Sequence, residues 1–148
     1  MSESDNISRN VFQEALVKRK QRDDLQIMIV EDQKFSRLML KNLLAKSYAV
    51  LAAVTGEDAL KAYVAEAPDI VFLDIELPGT DGHKVCSLLT RLDKDAFVVM
   101  VTANSYKEDV EKAKTGGAKG FVIKPYTRDK IYAYIDQFIQ ERTLGSHI

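Results

Sequence analysis

IVFLDIELPGTDG, residues 70 to 82, passes from four apolar residues into Asp74 and Glu76 and then into a turn built on Pro78 and Gly79. A short run of β-branched and aromatic residues that stops at turn formers reads as a strand. Asp74 therefore stands where a strand meets solvent. Working outward, the same kind of run recurs as IMIV at 27 to 30, YAVLAAV at 48 to 54, FVVMVT at 97 to 102 and GFVIK at 120 to 124. Segments with helical spacing of apolar residues separate these runs. That alternation predicts an α/β fold, a five-stranded parallel sheet with helices on both faces.

The helices read as follows. Phe35, Leu38, Met39, Leu43 and Leu44 form the expected stripe of the first, with Ser36 near its start. Thr55 and Asp58 form a capping pair for a helix that ends before Pro68. Val85, Leu88, Leu89 and Leu92 make the third stripe, and SYKE at 105 to 108 reads as a capping box for a helix that fades into Gly116 and Gly117. Beyond Pro125, the spacing of Ile131, Tyr134, Ile135 and Phe138 predicts a helix with one face on the sheet. Residues 1–24 precede this rhythm, and Ile7, Val11, Phe12, Ala15 and Leu16 predict a helical extension ahead of a domain at 25–141 and a tail at 142–148. That extension either packs on the domain or hangs in solvent, or else contacts a partner or second copy; its short stripe and single basic cluster make a membrane-surface helix the weakest alternative.

Twenty-one basic against 22 acidic residues and a pI near 6.1 argue against direct nucleic-acid binding. No apolar run approaches the roughly 18 residues of a membrane span, and the N-terminus lacks a signal-peptide pattern. The lone Cys86 forms no internal disulfide and suits a reducing, cytoplasmic setting. Cys86 itself reads as a small buried or half-buried side chain, and His83 as a surface helix residue rather than a ligand. Of three tyrosines near the last helix, Tyr134 points inward by spacing, Tyr132 lies off the stripe, and Tyr126 precedes both.

In an open parallel sheet, ligands bind outside the carboxyl ends of the strands. The first strand ends in Glu31 and Asp32, the third in Asp74, the fourth in Thr102 and the fifth in Lys124, while the second has no such group and fits a sheet edge. Three carboxylates brought together repel unless one is protonated or a cation sits among them. With no histidine or cysteine in the set, the ligands are hard oxygens, which favours Mg2+ or Mn2+. Magnesium typically keeps phosphate oxygens in its shell, and Lys124 and Thr102 suit a phosphoryl group. Asp74, ending the central strand, is the best nucleophile, since a carboxylate can accept a phosphoryl group as an acyl phosphate.

Four pieces, IVED with Glu31 and Asp32, VFLDIELPGTDG with Asp74, VMVTAN with Thr102 and GFVIKP with Lys124 and Pro125, stand in order at the strand ends. Together they resemble the receiver domain of bacterial two-component response regulators. The resemblance implies a flavodoxin-like sheet of order 2-1-3-4-5 and a phosphoacceptor switch rather than an enzyme. It implies transfer to Asp74 from a histidine kinase or histidine phosphotransfer protein. It also implies magnesium held by Asp32, Asp74, the Glu76 backbone carbonyl and, through water, Glu31. By the same resemblance Lys124 reads the phosphoryl group, Thr102 moves to bond it, the Lys124–Pro125 peptide is cis, and Phe121 couples the change to output. Phe121 stands where a tyrosine is often found, so no hydroxyl is available there and packing must report the switch. Glu76 and Asn104 flank the path of hydrolytic water in the family and are expected to tune phosphoryl lifetime.

Only RTLGSHI follows the last helix in this sequence, so signalling by contact with a downstream target is expected, either from a stand-alone regulator or relay intermediate or from the receiver part of a longer chain. The implied docking or dimer face is the surface of the fourth helix, fifth strand and fifth helix of the domain, with the N-terminal helix a further possibility. Two rivals are weaker. An unphosphorylated receiver-like adaptor has no need of the intact acids, Thr102 and Lys124. A phosphatase of the haloacid dehalogenase type wants a second aspartate where Glu76 stands and a threonine or valine where Pro78 stands.

Overall fold

The computed structural model describes residues 3–104 and 106–146, with side chains described at 9–104 and 106–143. The chain runs α1 (Glu3–Gln21), β1 (Gln26–Val30), α2 (Lys34–Ala45), β2 (Ala49–Ala53), α3 (Gly56–Glu66), β3 (Ile70–Asp74), β4 (Glu76–Leu77), β5 (Thr80–Asp81), α4 (Gly82–Leu92), β6 (Val98–Thr102), α5 (Lys107–Thr115), β7 (Gly120–Ile123) and α6 (Arg128–Ser146). Five parallel strands pair in the order β2-β1-β3-β6-β7, the expected order once the small β4–β5 ribbon is counted. The ribbon turns through Pro78 and Gly79, where φ of +70° is a conformation only glycine adopts without strain.

Strand residues alternate between two cores because successive side chains leave opposite faces. Ile27, Ile29, Ile70 and Phe72 join Leu40, Leu44, Ile131 and Ile135 on one face. Met28, Val30, Val71 and Leu73 join Ala59, Tyr63, Val85 and Leu89 on the other. Thr55 caps α3 by accepting from Asp58 N at 3.1 Å, as its spacing predicts. Ala67 in the left-handed region then stops that helix before Pro68.

Helix phases differ from the expected stripes in two places. On α2, Leu40 and Leu44 are buried, whereas Phe35 is 77% exposed and Leu38 and Met39 are also exposed. This helix is apolar on more than one side, so two phases satisfy the spacing. The phase adopted lets the Arg37 guanidinium donate back to the carbonyls of Glu31 and Asp32, each at 3.0 Å. On α4, Cys86 is buried in place of Leu88 and Leu92, its Sγ lying 3.7 Å from the Gly116 carbonyl.

The expected capping box at 105 to 108 also shifts. Helix α5 starts at Lys107 with Tyr106 as an N-cap that makes no side-chain bond, and Ser105 lies outside the described residues. The tail expected at 142–148 is helical as far as Ser146. No glycine or proline interrupts α6 up to Gly145, and Arg142 reaches Asp69 at 3.9 Å.

Helix α1 lies against α3. Its Phe12 and Ala15 are buried, with the Phe12 ring 6.0 Å from Tyr63. Its end is pinned where Arg19 meets Asp93 at 2.8 Å, and Asp93 also accepts from the Tyr63 hydroxyl at 2.7 Å. The expected stripe is thus covered by the domain, leaving Val11 and Val17 exposed; the Ile7 side chain lies outside those described.

Candidate phosphoacceptor site

The sheet ladders continue past the strands and set the site in register. Asp74 pairs with Val101, Ile75 N donates to Val101 O, Lys124 N donates to Thr102 O at 2.7 Å, and Glu31 N donates to Ala53 O at 3.0 Å. Four strand ends therefore deliver Glu31, Asp74, Thr102 and Lys124 to one rim. Carboxylate oxygens of Glu31, Asp32 and Asp74 lie within 4.8 Å of one another. Glu31 and Asp74 are buried and Asp32 half-buried.

Lys124 Nζ donates to Glu31 Oε1 at 2.7 Å and to Asp74 Oδ2 at 3.2 Å. The cation that the three acids require is, in part, this ammonium. With all three carboxyls ionised, one ammonium would leave the group two charges negative. The strain shows on Glu31, whose carboxyl is pushed up to about 7, first by burial, then by the neighbouring Asp74, with Lys124 opposing. Lys124 is itself held above its ordinary value; burial would lower it, but its bonds to Glu31 and Asp74 outweigh that. Among the described residues Glu31 Oε2 is buried without a hydrogen-bond partner. Uncompensated negative charge, hard oxygen ligands and an orphaned carboxylate oxygen fit a divalent cation such as magnesium.

Asp74 is fixed by its loop. Its Oδ1 accepts from Glu76 N at 3.0 Å, leaving Oδ2 toward Lys124. Gly82 packs so tightly beneath that a Cβ there would come within 2.3 Å of the Asp74 carbonyl oxygen. Asp81 caps α4 by accepting from His83 N at 2.9 Å, so the TDG piece both closes the ribbon and starts the helix.

Thr102 is buried, and its Oγ1 accepts from Asn104 N at 3.1 Å. Asn104 Nδ2 donates to Glu76 Oε1 at 2.6 Å, joining the two residues singled out for phosphoryl lifetime. The Lys124–Pro125 peptide is cis. Phe121 is half-buried, and its backbone N and O lie 3.3 and 3.4 Å from the Tyr134 hydroxyl. Tyr134 thus covers the free edge of β7, and Gly120 leaves room for its ring, which a Cβ would meet at 2.1 Å. Tyr132, expected off the stripe, donates to Leu43 O at 3.1 Å.

Two participants escaped the sequence reading. Arg37, which holds the acidic loop through backbone carbonyls, carries no motif, since any cation five or six residues on looks like a solvated helix face. His83 is half-buried rather than on the surface, its Nε2 3.0 Å from Asp109 Oδ1. That contact joins α4 to α5 across 26 residues of sequence, which no local spacing reveals.

The profile of the response regulator receiver domain matches residues 27–136. The chain is 34% identical over 113 residues to the chemotaxis protein CheY of Bacillus subtilis, covering 75% of this chain and 94% of that one. It is 36% identical over 115 residues to CheY of Listeria monocytogenes, covering 76% and 97%. The CheX-CheY-BeF3-Mg2+ complex from Borrelia burgdorferi superimposes with a TM-score of 0.74 at 29% identity, over 78% of this chain and 89% of that one. With the receiver profile over 27–136 and these relatives beside the acid cluster and its lysine, the chain belongs to the response regulator receiver family of two-component phosphoacceptor switches.

Proposed function

We propose that Asp74 is the phosphoacceptor and that the switch is set by an acyl phosphate formed on its Oδ2. The observation that carries this reading is Lys124 Nζ at 2.7 Å from Glu31 and 3.2 Å from Asp74 within a cluster of three acids that one ammonium does not neutralise. Such a cluster holds positive charge and then phosphoryl oxygens better than it holds itself.

In the step, an Asp74 carboxylate oxygen attacks the phosphorus of a phosphohistidine. The donor P–N bond breaks, and its electron pair leaves with the imidazole. The donor is a histidine kinase or histidine phosphotransfer protein. Exposed Phe35, Leu38 and Met39 on α2, directly after Asp32, supply an apolar surface beside the site for that donor. Magnesium or manganese would be held by Asp32, Asp74, the Glu76 carbonyl and, through water, Glu31. Bound there, the ion supplies neutralisation of the phosphoryl oxygens.

Lys124 exchanges its carboxylate partners for a phosphoryl oxygen. The Thr102 hydroxyl, whose oxygen accepts from Asn104 N, has its proton free to donate to another. Hydrolysis returns Asp74 to the carboxylate, and the Glu76–Asn104 bond stands over the site as the brake or guide for that water. Self-phosphorylation and self-dephosphorylation are the only chemistry proposed for the chain. Output passes by protein contact through α5, β7 and α6, where Phe121, Ile123 and Tyr134 line an open groove of about 520 Å3. The setting is cytoplasmic; among the described residues no helix is long and apolar enough to cross a membrane.

Acetyl phosphate with magnesium tests the reading. Intact-mass spectrometry is expected to find one added phosphoryl group on the wild type and none on Asp74→Ala. An unmodified wild type, or a modified Asp74→Ala, overturns it. Glu76→Asn is expected to change the decay rate of the phosphorylated form, and an unchanged rate removes Glu76 from the tuning role.

A further inference from the structure

Helix α1 does more than cover the domain. Between it and the carboxyl end of α4 runs a groove of about 880 Å3, remote from Asp74. Its apolar lining, which makes the floor between the charged walls, is Phe12, Leu16, Val17, Val64 and Leu92. Val17 and Leu92, at 55% and 41% exposed, leave that floor open to solvent.

The rim is cationic. Five basic and two acidic side chains line the groove, an excess of three positive charges on a chain whose net charge is −1. One of the two acids, Asp93, is already consumed by Arg19 and Tyr63. Arg9 and Lys20 stand on the α1 wall and Arg91 and Lys94 on the opposite wall; none of the four has an ion-pair partner among the described residues. On a helix rising 1.5 Å per residue, Arg9 and Lys20 are about 16 Å apart, or three turns.

We infer that this groove is a docking site for an acidic amphipathic helix, about three turns long, presented by a partner protein. Apolar side chains of such a helix would bury on Leu16, Val64 and Leu92 while its flanking carboxylates meet Arg9 and Lys20 on one wall and Arg91 and Lys94 on the other. Helix-in-groove recognition uses this division of labour, with apolar anchors supplying affinity and rim charges supplying on-rate and selection. Because α1 forms one wall, the extension creates the site. Binding is independent of Asp74, so the extension gives the receiver a standing tether separate from its switched output.

The probe is a synthetic acidic peptide of about 14 residues with leucine at i, i+3, i+4, i+7 and glutamate on its flanks. Added to the full chain at low salt, it is expected to shift amide resonances at 9–20, around Val64 and at 91–95, and to leave those of Glu31, Asp74 and Lys124 in place. Arg91→Glu with Lys94→Glu is expected to weaken binding at least about tenfold. Circular dichroism and acetyl phosphate labelling of that variant stay as in the wild type. If the reversal variant fails to fold, Arg91→Gln with Lys94→Gln is expected to weaken binding severalfold and serves in its place. Asp74→Ala binds the peptide as the wild type does, so failure of the phosphoacceptor reading leaves this result standing. Resonance shifts elsewhere overturn the proposal. So does affinity indifferent to the rim charges, or binding to anionic phospholipid vesicles without binding to the peptide.

Discussion

At the N-terminal rim of the sheet, Asp93 is held by Arg19 at 2.8 Å and Tyr63 at 2.7 Å. Asp69 on the same rim accepts from Gln26 N at 2.9 Å with Arg22 3.7 Å and Arg142 3.9 Å away. At the carboxyl rim, Glu31, Asp32 and Asp74 crowd within 4.8 Å around one lysine. Both rims bury carboxylates beside cations, and their electrostatics run in opposite directions. Burial alone would raise Asp93, yet the bonds from Arg19 and Tyr63 outweigh it and hold that carboxyl below its ordinary value. Glu31 is pushed up to about 7 by burial and by Asp74. A rim where every buried acid has an arginine fastens α1 and α6 to the domain. An unbalanced one stores affinity for a cation and a phosphoryl group.

The sharpest way to break the comparison is to remove one acid from each rim. Asp93→Ala leaves Arg19 and the Tyr63 hydroxyl without their shared acceptor, and is expected to cost about 3 kcal/mol in urea unfolding. Divalent metal separates the rims next. Magnesium at ten times its dissociation constant is expected to stabilise the wild type by about 1.4 kcal/mol, and Asp32→Asn to abolish the gain. In metal-free buffer Asp74→Asn relieves repulsion and is expected to stabilise by about 1 kcal/mol, opposite in sign to Asp93→Ala. A destabilised Asp74→Asn would mean that Lys124 already balances the cluster.

The smallest effect is in acid. A carboxyl whose folded value is depressed contributes stability that is complete above its unfolded value near 4 and is lost as pH falls through the folded one. Urea midpoints measured downward from about pH 5 are therefore expected to fall more steeply for the wild type than for Asp93→Asn.

Much of the site was legible because a parallel sheet writes itself plainly. Strands buried on both faces are unbroken apolar runs, and the residue after each run must emerge at the carboxyl rim. Asp74, Thr102 and Lys124 could be placed on that ground before any contact was known, and the edge position of β2 followed from the lack of a polar group at its end. The second rim was silent. Asp93 reads as an ordinary loop acid, and Arg19 lies 74 residues away in a basic stretch that reads as solvated.

Helix phase was the other loss. Six apolar residues on α2 admit more than one stripe, and the chosen one depends on what faces the sheet. Spacing puts Phe35, Leu38 and Met39 on the apolar stripe, and the packing leaves all three exposed. Local order alone determined the strands, their acids and lysine, and the turn at Pro78 and Gly79, because burial period and turn chemistry act between near neighbours. Tertiary structure alone decided which helix faces are buried, that Lys124 sits between Glu31 and Asp74, that His83 meets Asp109, and that α1 forms a cationic groove with α4. Each of those depends on groups far apart in sequence, whose meeting only the packing of the whole domain sets.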